Sequence, residues 1–121
     1  MIHSIEGLPD HVVGFEAVGE VTAADYEDTL DPAVRSATAA HEKIRMLYVL
    51  GEKFEGYAAG AMWEDTKLGL TNWTNFDRIA FVTDRTGYRD AVKAFGWMIP
   101  GEVRTFALDQ KDEAMEWITA D

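Results

Sequence analysis

The chain has no cysteine. That excludes disulfides, thiolate metal sites and a cysteine nucleophile, and it suits a reducing cytoplasm. Positive charge is scarce as well: 11 Lys+Arg stand against 22 Asp+Glu, a formal net charge of −11. DNA and RNA are polyanions whose binding needs a basic footprint, and none is present here. Attraction to anionic lipid is disfavoured for the same reason, so any membrane contact is not driven by charge. Long apolar runs are missing. The longest clean one, Met46 to Leu50, is far too short to cross a bilayer. The opening MIHSIEGLPD has no basic segment followed by an apolar stretch, so no signal peptide is visible. The serines are Ser4 and Ser36 alone, neither in a nucleophile-elbow context. His3, His11 and His41 fall on different predicted elements without metal-ligand spacing. The sequence therefore offers no catalytic residue, no metal site and no cofactor motif.

What it does have is apolar substance. Hydrophobic residues make up 47% of the 121, enough to build a core and too many for a disordered chain. The length suits one domain, 1–121. Residues 1–6 read as a short strand and Gly7-Leu8-Pro9-Asp10 as a turn. Over 12–21, Val13, Phe15, Ala17 and Val21 fall on one face and Glu16 and Glu20 on the other, which predicts a half-buried strand paired with the first. Thr22-Ala-Ala-Asp25 has the form of a capping box. Leu30, Val34, Ala37 and His41 continue at helical spacing, and Pro32 predicts a kink or two shorter helices, because it cannot donate to the carbonyl of Asp28.

Residues 44–50 and 79–83 are nearly continuous apolar runs rich in β-formers, the pattern of central strands covered on both faces. Helices are predicted over 58–70 and 86–95, a last strand over 102–108, and a closing amphipathic helix with Asp109 as N-cap and Ala114, Trp117 and Ile118 inward. The alternation implies an α/β fold with a mixed, mostly parallel five-stranded sheet and about four helices.

Two stretches invite a catalytic reading. Gly51-Glu-Lys-Phe-Glu-Gly56 follows a strand as a phosphate-binding loop does, but Tyr57-Ala58 stands where Lys-Ser/Thr is required, and Glu52 and Glu55 would repel a triphosphate. A tight turn between strand and helix accounts for it. Thr83-Asp-Arg-Thr-Gly-Tyr88 echoes an aspartyl-phosphate motif with Tyr88 in place of its last Thr; a helix cap by Asp84 or Thr86 accounts for that. Glu64 and Asp65 are adjacent on a helix, so their side chains diverge, and a solvated face explains them.

Aromatic residues remain. Phe54, Tyr57 and Trp63 lie in or after the 51–57 stretch, and Phe95-Gly-Trp97-Met98-Ile-Pro100 is an apolar connection where a polar one is usual. Core packing accounts for most of these side chains; Trp97 and Met98 fit a pocket or an interface equally well.

The segments TAADYEDTLDP (22–32), GAMWEDTKLGL (60–70), TNFDRIAFVTD (74–84) and AVKAFGWMIPGEVRTFALDQKDEAMEWI (91–118) resemble the SpoIIAA-like family, a branch of the STAS-type fold. The resemblance implies a central mixed sheet with helices around it, a shape akin to lipid-carrying CRAL-TRIO domains, and proposed membrane association or apolar-ligand binding. The anti-sigma antagonists that name the fold are switched by phosphorylation of a Ser or Thr at the start of the helix after the third strand. From Gly51 to Asp65 this chain has neither residue, so the phosphoswitch is not carried over.

The resulting expectation is a non-enzymatic, cytoplasmic binding domain for a small apolar or amphipathic, lipid-like ligand. Its site would lie between residues 51–70 and 95–100. Phe54, Tyr57, Met62, Trp63, Trp97 and Met98 would form its walls, and Lys67 would meet an acidic head group. A mobile 51–57 loop, freed by Gly51, Gly56 and Gly60, would act as a gate. The alternative is a protein–protein regulatory module in which the same aromatics form an interface. A homodimer through the 95–100 connection is expected from its apolar character.

Overall fold

The structure, a computed structural model, describes residues 1–58, 76–95 and 101–120. Its frame is one five-stranded sheet in the order β1-β2-β3-β4-β5: β1 (Ile2–Ser4), β2 (Val12–Val21), β3 (Ile44–Tyr57), β4 (Phe76–Val82) and β5 (Glu102–Phe106). The first pair is antiparallel and the other three pairs are parallel. The two apolar runs are thus central: Met46 to Val49 lie opposite Ile79 to Val82. The helix expected over 58–70 lies outside the described residues.

Period-two alternation sorts the strands into two faces. On one, Phe15, Ala17, Tyr48, Leu50 and Phe54 pack with Tyr26, Leu30, Val34 and Ala37 of the helical segment that follows β2. Tyr88, from α3 (Thr86–Phe95), joins the same face. On the other face, Val12, Leu47, Val49, Ala80 and Val82 pack under Ala114 and Ile118 of α4 (Lys111–Thr119). Sheet and helices bury both sets because neither can leave its apolar side in water.

The segment after β2 has three parts: a short α1 (Ala23–Asp25), a π turn (Tyr26–Leu30) and α2 (Asp31–Ala40). Pro32 sits in the first turn of α2. It has no N–H to give the carbonyl four residues back. The helix widens just before it, and the Asp31 N–H reaches the Tyr26 carbonyl in the wider π pattern. The expected kink is therefore a π turn.

Two expectations are corrected. Residues 51–57 are not a loop: β3 continues through Tyr57, beyond the end of β4, and pairs with β2 through Gly19–Phe54, Glu20–Gly56 and Val21–Tyr57. Glycines and charged residues at 51–55 resemble a loop, and the exposed Glu52, Lys53 and Glu55 around a buried Phe54 break strict alternation, but the pairing with β2 continues through them. Register shifts between Ala17 and Glu20 insert extra residues into β3, and Gly56 takes up the irregularity with a positive φ of 134°. A gate made of a free 51–57 loop is therefore ruled out. Nor does Asp109 cap the last helix. It lies inside a 3-10 turn (Leu108–Gln110) ahead of α4, whose entry is held by Ala107 N–H donating to Gln110 Oε1 at 3.0 Å and Leu108 N–H donating to Asp84 Oδ1 at 2.9 Å. Asp84 thereby ties the end of β4 to the end of β5.

Candidate functional site

Strands β2 to β5 are parallel, so their carboxyl ends share one edge of the sheet, the edge at which α/β folds commonly bind ligands. The overhang of β3 brings Phe54 and Tyr57 there. The chain's four tyrosines, Tyr26, Tyr48, Tyr57 and Tyr88, come from three elements, the π turn, β3 and α3, and two of them, Tyr57 and Tyr88, meet Phe54 there. Phe54 is 1% exposed. Its ring meets Tyr57 edge-on at 5.3 Å and Tyr88 at 5.6 Å; Tyr57 and Tyr88 meet at 5.7 Å. Tyr26 stacks on Tyr57 at 6.5 Å, and Tyr48 stacks on Phe81 at 5.8 Å. These offset and edge-to-face geometries suit the ring quadrupoles.

The hydroxyls line up. Tyr26 and Tyr48 are 3.4 Å apart, and so are Tyr48 and Tyr57. Both contacts are at the long end of hydrogen bonding. Tyr26 and Tyr48 are buried, while Tyr57 and Tyr88 are half-buried, so the wall has an interior and a rim. Arg85 adds charge to that rim. Its guanidinium lies 5.0 Å from the centre of the Phe54 ring and donates to the Phe54 carbonyl. Below it, Arg89 donates to the Thr83 carbonyl at 2.6 Å, and the buried Thr83 hydroxyl accepts the Arg85 N–H at 3.0 Å. What the rim offers is two half-buried rings, Tyr57 and Tyr88, with a cation beside them, and such a rim can take a molecule that has an apolar body and a polar end.

Of the residues expected to bind ligand, Phe54 and Tyr57 are thus placed together. Phe54 is a core side chain, and Tyr57 reaches the rim. Met62, Trp63, Lys67, Trp97 and Met98 lie outside the described residues. Their anchor points differ. Residues 59–75 leave from Ala58, whose N–H donates to the Val21 carbonyl at 2.7 Å, at the carboxyl edge. Residues 96–100 lead into Gly101, where a Cβ would come within 2.4 Å of the Asp77 carbonyl oxygen and 2.5 Å of that of Phe76, at the amino end of β4. Residues 59–75 then rejoin the described chain at Phe76, beside Gly101, so one of these anchor points lies at the carboxyl end of the sheet and two at the amino end.

Sequence reasoning passed over Tyr26, Tyr48 and Tyr88. Each sits in an otherwise ordinary apolar pattern, and only the sheet order brings them together. The fold also draws His11 and His41, which belong to separate elements, to a ring separation of 6.2 Å; among the described residues no group of three or more His, Cys, Asp or Glu could hold a metal ion. Met1 is the one exposed large hydrophobic among the described residues; residues 96–100 of the connection expected to carry a homodimer lie outside them. Among the described residues no helix is long and apolar enough to cross a membrane.

Comparison with known proteins agrees with this architecture. No curated protein matches the chain. A crystal structure of an uncharacterized protein of the DUF3478 family from Shewanella loihica PV-4, described as having a SpoIIAA-like fold, superposes with a TM-score of 0.77 at 30% identity, covering 98% of this chain and 92% of that one. The SpoIIAA-like family model matches residues 12–119. The chain belongs to the SpoIIAA-like family and has its STAS-type α/β fold.

Proposed function

We propose that this domain acts by binding rather than by catalysis, and that its ligand is a small amphipathic, lipid-like molecule seated against the tyrosine wall at the carboxyl edge. The observation that supports this most is the packing of Tyr57 and Tyr88 on Phe54 and on each other, with Tyr26 stacked behind Tyr57 and Arg85 over the Phe54 ring. Tyrosine provides an apolar face and a polar tip in one side chain, which suits a ligand with the same division. Met62, Trp63 and Lys67 follow Tyr57 closely in the chain, and they are the residues we expect to complete the walls and meet an acidic head. Trp97 and Met98 are kept as a second apolar contribution.

The experiment is a titration with decanoate, followed through the aromatic ring resonances of the tyrosines. Saturable shifts centred on Tyr57 and Tyr88, with affinity reduced at least about fivefold by Tyr88→Ala, are expected; losing one ring contact of order 1 kcal/mol gives that factor. Shifts that are absent, or unaltered by a Tyr88→Ala variant that retains its fold, would favour the protein–protein module.

A further inference from the structure

The opposite face of the sheet carries a second site. α4 covers that face over the core formed by Val12, Leu47, Val49, Ala80 and Val82, but a groove of about 540 Å³ is left between the β1–β3 surface and the start of α4. Val18, Val49 and Leu108 contribute its apolar lining. A groove that combines apolar walls with ionisable groups has the make-up of a small-molecule site, and its lining points to the class of occupant.

The groove's ionisable groups indicate what that occupant is. Glu16, Lys53 and Lys111 line it together with His3 and Glu52. Among the described residues none of these side chains makes an ion pair. Glu16 is half-buried, and its carboxylate lies over Gly51: a Cβ built there would fall 2.6 Å from Glu16 Oε2. Glycine at 51 thus makes room for a carboxylate against the strand backbone, with no cation paired to it. The two lysines come from β3 and from the first residue of α4. The half-buried Glu16 carboxylate and the two exposed ammonium groups, none of them ion-paired, complement a ligand with the reverse arrangement, with the exposed Glu52 as a further carboxylate in the lining. A second copy of this chain is a poorer fit, since the cores of protein interfaces are depleted of charged residues.

We propose that this groove binds a small amphoteric molecule, one carrying an ammonium group for Glu16 and a carboxylate for Lys53 and Lys111, a few bonds apart. Gly51 and Lys53 are two residues apart on β3, roughly 6–7 Å along a strand, which sets the scale of that separation. The volume lies within the range of small-molecule sites.

The test is a calorimetric or NMR titration of the whole chain with 6-aminohexanoate, compared with hexanoate and hexylamine, which each keep one charged end. The expected result is saturable binding of 6-aminohexanoate at least about tenfold tighter than either control. Glu16→Gln should erase the advantage over hexanoate, and Lys53→Met with Lys111→Met should erase the advantage over hexylamine. Gly51→Ala should weaken 6-aminohexanoate by displacing the Glu16 carboxylate; since it alters β3, its fold is checked by thermal melting, and the isosteric Glu16→Gln carries the test if it fails to fold. Equal binding of all three probes, no saturation by about 10 mM, or a dimer that Lys111→Glu dissociates would overturn the proposal.

Discussion

Thr22 and Asp25 hold each other at the head of the helical segment. The Thr22 N–H donates to Asp25 Oδ2 at 2.8 Å, and the Asp25 N–H donates to Thr22 Oγ1 at 3.3 Å. Burial alone would raise the Asp25 pKa. The Thr22 N–H, the Met1 ammonium at 3.3 Å and the Thr22 hydroxyl outweigh it and hold the group below its ordinary 3.8. A depressed carboxylate stabilises the fold above its unfolded pKa, and that contribution is lost as pH falls through the folded one. Urea unfolding should therefore show stability declining on acidification below about pH 4, with a shallower decline in Asp25→Asn. Thr22→Ala should cost about 1 kcal/mol at neutral pH. At the other edge of the sheet, Gly101 lies against backbone oxygens that cannot swing aside. Gly101→Ala should cost about 1–3 kcal/mol or more by overpacking, seen as a lowered denaturation midpoint with unchanged slope.

Among the elements, α4 is held at its end by two neighbouring strands. Arg45 and Arg78 are register partners on β3 and β4. Arg45 donates to the carbonyls of Ile118 and Ala120, and Arg78 to those of Trp117 and Ala120, the latter two bonds at 3.0 Å. Cations at a helix carboxyl end satisfy carbonyls that the helix itself leaves open. Arg78 and Arg104 also lie over the Trp117 ring, at 5.5 and 4.9 Å. Arg45→Ala combined with Arg78→Ala should speed amide exchange across Ala114 to Ile118 and alter Trp117 emission, with less effect on the centres of β2 and β3. Uniform loss of protection across the sheet would contradict a local clamp. The elements also show what a sequence discloses. Residues 44–50 and 79–82 were legible as central strands because burial on both faces writes an unbroken apolar run. The capping box was legible because it is local. The continuation of β3 through 51–57 was not, since a bulge and exposed charges there imitate a loop. The partner of Asp84 was hidden because Leu108 meets it across the fold. The tyrosine wall was hidden for the same reason: Tyr26, Tyr48, Tyr57 and Tyr88 are brought together by strand order, and each alone reads as core.

At the scale of the molecule, one sheet divides the surface into two chemically different regions. One face gathers aromatic rings at the carboxyl edge; the other leaves a charged groove beside α4. With a net charge of −11, general attraction to anionic surfaces contributes little, so the amphipathic ligand proposed above would be held mainly by its apolar part. Burying each CH₂ contributes about 0.8 kcal/mol before ordering costs, roughly a fourfold gain in affinity per carbon. The most direct measurement is therefore the dissociation constant of a series of saturated fatty acids of increasing length, taken at two salt concentrations. Affinity should rise steadily with chain length and change little with salt. Affinity that is flat along the series, or that falls steeply with salt at constant chain length, would contradict that expectation.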